Sequence, residues 1–128
     1  MAEPIISQIC TPGTEIQSRM SAVGQSFSIH EWRGSGPPSM HVHYQDDEAW
    51  HVLEGILKFR FEDREVEVGP GGTVFVPAGV THTYEALNAR YFIILTPRLE
   101  ALIKELQQAP DRTEDEEIYL RHESELVG

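Results

Sequence analysis

Between Ile56 and Glu62 apolar and charged side chains alternate strictly, with Leu57, Phe59 and Phe61 on one parity and Lys58, Arg60 and Glu62 on the other. Successive side chains of an extended chain point to opposite faces, so the pattern predicts a half-buried strand. Glu65-Val66-Glu67-Val68 repeats it. From Ile5 to about Thr96 similar short runs rich in Val, Ile, Phe, Thr and Tyr are bracketed by turn formers: Thr11-Pro12-Gly13, Gly34 to Pro38, Gly55, Gly69 to Gly72 and Pro77-Ala78-Gly79. Many short strands with regular breaks predict an all-β sandwich or closed barrel rather than alternating strands and helices.

After Thr96 the period becomes helical. Leu99, Leu102, Ile103 and Leu106 recur at i, i+3, i+4 and i+7, Pro97 suits a first helical position and Thr96 suits its cap. The apolar stripe should pack on the strands. Ala109-Pro110-Asp111 ends this helix, and Thr113 to Glu116 reads as a capping box opening a second, acidic segment. The organisation expected is one domain, with a barrel over 1–96 and a helical, acidic tail over 97–128 packed on it. Residues 111–128 carry seven acidic and two basic side chains, a local charge of −5, read as a solvated helical face or frayed tail.

Composition narrows the class. A chain of 128 residues, 40% hydrophobic, has apolar side chains enough for one core. A formal charge of −11 argues against nucleic acid and anionic lipid, because phosphate binding needs clustered Lys and Arg, and ten basic residues are scattered among twenty-one acidic ones. The longest apolar run, Tyr91 to Leu95, is far short of a bilayer span, and Met1 to Cys10 lacks the features of a leader, so a soluble cytoplasmic protein is expected. The single cysteine, Cys10, forms no intrachain disulfide and reads as a packing residue.

The candidate chemistry lies in the histidines. In His41-Val42-His43 the spacing of two sets both imidazoles on one face of a strand, with Cβ atoms about 7 Å apart, so that one ion fits between them. After the polar turn Tyr44 to Asp47 the chain re-enters a strand at Glu48, which a hairpin would return beside the rings. His82, just beyond the turn Pro77-Ala78-Gly79, supplies a fourth inward ligand. His51 lies on the opposite parity and should face away; His30 is ambiguous and His122 reads as solvated. Trp50 and Tyr84 share the inward parity of Glu48 and His82, as candidate substrate-binding residues or core. Phe59, Phe61, Phe75 and Phe92 read as core.

These residues fall in the register of the cupin superfamily, which the chain resembles. Its first motif, Gly-x5-His-x-His-x3,4-Glu-x6-Gly, is matched by His41, His43, Glu48 and Gly55; its second, Gly-x5-Pro-x-Gly-x2-His-x3-Asn, by Gly71, Pro77, Gly79 and His82, with fifteen residues between the two. Ser35 replaces the leading Gly but lies between Gly34 and Gly36, and Ala86 replaces the closing Asn. The resemblance implies a double-stranded β-helix, or jelly-roll barrel, holding one divalent metal per chain through His41, His43, Glu48 and His82. Three imidazoles and a carboxylate suit Fe, Mn, Ni, Cu or Zn and do not choose among them; an octahedral ion would keep two open positions.

The barrel followed by a Pro-led helix, an acidic helix and a short apolar ending resembles single-domain bacterial cupins of the quercetin-dioxygenase-like group. That likeness implies a dioxygenase acting on a small aromatic or enolic compound, with Glu48 as its base. A non-catalytic metal- or ligand-binding cupin is the alternative, and an isomerase or lyase the third reading. A homodimer is expected through outer strands, with Leu53 among the apolar residues facing outward and Ile5 to Ile9 as a bridging element.

Overall fold

The computed structural model describes residues 3–6 and 19–127; the expected Ile5 to Ile9 strand and Cys10 lie wholly or partly outside them. The elements are β1 (Ser21–Val23), β2 (Ser28–Arg33), β3 (His41–His43), β4 (Glu48–Phe61), β5 (Glu65–Val68), β6 (Thr73–Val76), β7 (His82–Leu95), α1 (Pro97–Gln108), α2 (Asp115–Arg121) and β8 (Ser124–Leu126). All strand pairings are antiparallel. This is the mostly-β architecture expected of the sequence, carrying two short helices.

β7 is the hub. Its last six residues pair with β2, its length pairs with β4, and His82 at its start pairs with His41 on β3. β4 in turn carries β6 along its first four residues and β5 along its second half. Two strands of 14 residues cannot stay flat when they must wrap a core on one face, and both break at the same level. The β4–β7 register shifts on either side of Glu54, where Gly55 adopts φ 72° opposite Asn88 at φ 51°. A Cβ on Gly55 would run into the Asn88 carbonyl, so the motif glycine answers to backbone approach as well as to dihedral angle.

The core joins Trp50, Val52, Leu57 and Phe59 of β4 with Tyr84, Tyr91, Ile93 and Leu95 of β7. The alternation in Ile56 to Glu62 holds: Leu57 and Phe59 are fully buried. α1 begins as its sequence dictates, with Pro97 in the first turn and Thr96 Oγ1 accepting from Leu99 N at 3.2 Å, and it lays Leu99 and Leu102 on the barrel. No helix among the described residues is long and apolar enough to cross a membrane.

Four expectations are corrected. No hairpin joins β3 to β4: β3 pairs with β7 and β8, and β4 with β5, β6 and β7. Phe75 is 63% exposed, because Val74 and Val76 take the inward parity of β6 and turn it outward. Thr113 caps nothing: its N–H and hydroxyl both donate to Asp111 Oδ1, and Glu114 stands at the head of α2 without a side-chain capping bond. Nor is the tail only a solvated helix. α2 buries Ile118 and Tyr119, and the chain then returns as β8 to extend the sheet beside β3, three residues in register.

Candidate metal centre

β3, the start of β4 and the start of β7 each deliver side chains of one cluster. His41, His43, Glu48 and His82 are all buried, and one donor atom from each lies within 4.8 Å of all the others. Pairing of His41 with His82 across β3 and β7 brings their ring centroids to 4.5 Å; His43 lies 4.9 Å from His41 and 5.5 Å from His82. Glu48 Oε1 lies 3.3 Å from Nε2 of both His43 and His82.

Hydrogen bonding on the far side of the rings sets which atom faces inward. His41 Nδ1 meets the Ser39 carbonyl at 3.0 Å and His82 Nδ1 meets the Val80 carbonyl at 2.9 Å. A carbonyl only accepts, so each Nδ1 carries the proton, and Nε2 presents its lone pair to the centre whenever the ring is neutral. Burial, aided by the neighbouring imidazoles of His82 and His43, holds His41 at about 3, well below its ordinary value, so this ring is neutral near pH 7. Burial pushes the Glu48 carboxyl up, but hydrogen bonds and charge from the facing His43 and His82 rings, where these carry a proton on Nε2 as well, outweigh it and hold the group at about 2. An anion and converging imidazole nitrogens, withdrawn from water, fit a divalent cation: neutral nitrogen and carboxylate oxygen are the donors such ions take, and a shared positive charge relieves their crowding.

A cavity of about 400 Å³ opens above the cluster. His41, His43 and Glu48 reach its floor. Trp32, Tyr84 and Ile93 form the barrel side, Leu99, Leu102, Ile103 and Leu106 of α1 the other, with Asp111, Arg112 and Asp115 at the rim. Tyr91 Oη donates to the Gly34 carbonyl at 2.7 Å, so in the 3.0 Å contact between the two phenols Tyr84 is the donor. Its hydroxyl proton is therefore engaged, and Tyr84 offers the cavity its ring.

Trp50 does not line the cavity. It is fully buried beneath the site, edge-on to Phe59, Tyr84 and His82, because inward parity at this depth of β4 leads into the core. His51 lies on the outer face, within 2.7 Å of Thr73 Oγ1. His30 sits away from the cluster, bound to Glu100 at 2.8 Å and to Ser21 at 3.0 Å. His122, rather than solvated, folds its Nδ1 onto the Ile118 carbonyl at 2.8 Å.

Sequence reasoning missed the contribution of the tail. The Tyr119 ring lies 5.5 Å from that of His41, and Ser124 Oγ lies 2.7 Å from His43 Nδ1. The only available signal was the placing of Ile118, Tyr119 and Leu126 in an otherwise acidic stretch, apolar residues that a solvated tail has no use for.

The family profile described as "Cupin domain" matches residues 28–95. Among solved structures the chain is similar to a cupin-2 domain containing protein from Shewanella frigidimarina, at 24% identity and a TM-score of 0.50, covering 66% of this chain and 83% of that one. It is also similar to KdgF from Halomonas sp., at 17% identity and a TM-score of 0.52 over 77% of this chain and 93% of that one. The nucleoside dehydratase Pac13 is similar at 12% identity, with a TM-score of 0.55 over 83% of this chain and 72% of that one. At these identities the likeness is one of fold. No curated protein matches the sequence significantly.

Proposed function

The chain belongs to the cupin family, and from that premise we propose that it is a metal-dependent dioxygenase-type enzyme acting on a small aromatic or enolic compound. In this reading His41, His43, Glu48 and His82 hold one divalent transition ion. The observation that carries it is the joining of this four-donor cluster to a cavity of about 400 Å³ whose walls are aromatic and aliphatic. Cavities of roughly 300 Å³ and above take small organic ligands, with apolar walls supplying affinity and a few polar groups fixing orientation.

A bound ion supplies Lewis acidity toward an enolate oxygen and, where it is redox-active, a path for electrons to dioxygen. The chain's own residues do the rest. Trp32 and Tyr84 present rings on which a planar compound can lie, and Leu99, Leu102 and Ile103 keep water from its apolar body. Glu48 is an anion at the cavity floor, placed to accept the proton of an enol hydroxyl as the compound enters. The Asp111, Arg112 and Asp115 rim is polar and marks the way in.

The test is to reconstitute metal-free protein separately with Fe(II), Mn(II), Ni(II), Cu(II) and Zn(II), and to follow oxygen uptake with flavonols, catechols and β-diketones. Uptake with a redox-active metal, abolished by Glu48→Ala, is the expected result. No uptake with any redox metal, alongside metal-dependent binding of a small acid, would replace this reading with a non-catalytic binding protein.

A further inference from the structure

The three imidazoles of the cluster are not held alike. His41 and His82 each donate Nδ1–H to a carbonyl two residues earlier in the chain. His43 reaches instead to a side chain 81 residues away, Ser124 on β8, at 2.7 Å, and Ser124 is 1% exposed. Ser124 Oγ also lies 3.1 Å from the His122 carbonyl, to which it donates. A hydroxyl has one proton. With that proton committed to His122, the Ser124 oxygen must accept from His43, so His43 Nδ1 carries hydrogen and Nε2 faces Glu48 with its lone pair in the neutral ring.

We propose that Ser124 is a positioning residue of the metal centre, fixing the tautomer and ring orientation of His43, and that through it the C-terminal strand couples occupancy of the centre to docking of the tail. This rests on the reading of the four-residue cluster as the metal's ligands. Outer hydrogen bonds of this kind orient ligating imidazoles and raise their basicity. The strand is anchored for the purpose: β8 pairs His43 with Ser124 in register, Tyr44 N donates to the Glu123 carbonyl at 2.9 Å, and Val127 N donates to the Met40 carbonyl at 2.9 Å. Between β8 and α1 lies α2, whose Tyr119 faces His41 and, with α1, closes the cavity. An ion that favours the docked His43–Ser124 pair must, by linkage, be favoured by it in equal measure.

The experiment compares the full chain with Ser124→Ala, Ser124→Thr, His43→Ala and the double variant His43→Ala/Ser124→Ala. Each is titrated with Co(II), read by its ligand-field absorption, and digested with protease with and without the metal. Wild type should bind one Co(II), and the metal should protect the C-terminal segment. Ser124→Ala should weaken binding about 10- to 100-fold and lose that protection. Ser124→Thr, which keeps the hydroxyl, should recover most of both. The double variant should bind no more weakly than His43→Ala, because Ser124 acts through that ring. Equal affinity of wild type and Ser124→Ala overturns the proposal and leaves the metal centre standing. So does a loss that Thr fails to rescue or that adds to that of His43→Ala, since packing alone would then account for it. A wild type that binds no Co(II) defeats the reading of the ligands themselves.

Discussion

His41 and His82 are register partners across β3 and β7, and their ring centroids stand 4.5 Å apart, closer than the other two imidazole pairs of the cluster. Nothing but backbone pairing is needed to bring them together, so removing either side chain should leave the strands in place. His41→Ala and His82→Ala should each lose most of the metal that wild type retains on purification, because three of four donors leave the ion open to water and exchange. Elemental analysis of the three proteins, with circular dichroism as a check of the fold, tests this. Stoichiometric metal in both variants would rule out the ligand assignment.

How much of this was legible follows from the range of each interaction. The His-x-His spacing and the inward parity of Glu48 and His82 are local patterns, and parity survives folding; the expected hairpin between β3 and Glu48 was not among them, because β3 pairs with β7 and β8 instead. Parity does not give depth: at Trp50 inward leads to the core below the cavity, and Phe75, read as core for its ring, faces outward because Val74 and Val76 hold the inward parity. Ser124 was invisible for another reason. Its role depends on a pairing of β8 with β3 across 81 residues, and no local pattern announces which strand a three-residue segment will join.

Gly55 tests the bend that lets β4 and β7 wrap the core. Its φ of 72° and the approach of the Asn88 carbonyl leave no room for a side chain. Gly55→Ala should destabilise the protein by roughly 2 kcal/mol or more, from strain at positive φ together with forced movement of β7. Urea unfolding measures it. A variant as stable as wild type would mean that the β4–β7 break is not fixed by this contact.

The outer face of the sheet carries an apolar row that crosses five strands: Phe75 pairs with Ala49, Ala49 with Ile94, Ile94 with Ile29 and Ile29 with Ala22. Strands lie about 4.8 Å apart, so the row runs roughly 19 Å. Phe75 and Phe27 near its end are 63% and 57% exposed, while Leu53 is half-buried. A second copy of the chain is the expected cover. Light scattering should give about twice the 14.5 kDa chain mass at micromolar concentration, and Phe75→Asp should return the monomer by placing a charge in the row. A wild-type monomer at that concentration would count against the dimer.

Alkaline pH offers a probe of the two buried phenols that face one another, Tyr84 and Tyr91. Tyr91 is 1% exposed, and burial pushes its phenol up to about 12 despite the partly offsetting bond to Tyr84. Burial pushes Tyr84 up as well, followed by the influence of Tyr91. A phenol near 10 in the unfolded chain and higher in the folded one is protonated in the fold after the unfolded chain has released its proton. Between those values the folded state binds more protons, so stability falls as pH rises. The contribution of these phenols is complete below pH 10 and is lost as pH climbs toward 12. Thermal midpoints should therefore decline from about pH 10 upward, with the phenolate absorption of the buried Tyr84, Tyr91 and Tyr119 appearing together with unfolding and that of exposed Tyr44 before it. Tyr91→Phe removes the titrating group and the bond to the Gly34 carbonyl, so it should start less stable at neutral pH but show a shallower alkaline decline. A Tyr91→Phe variant whose midpoint falls with pH as steeply as wild type would show that this phenol does not govern alkaline unfolding.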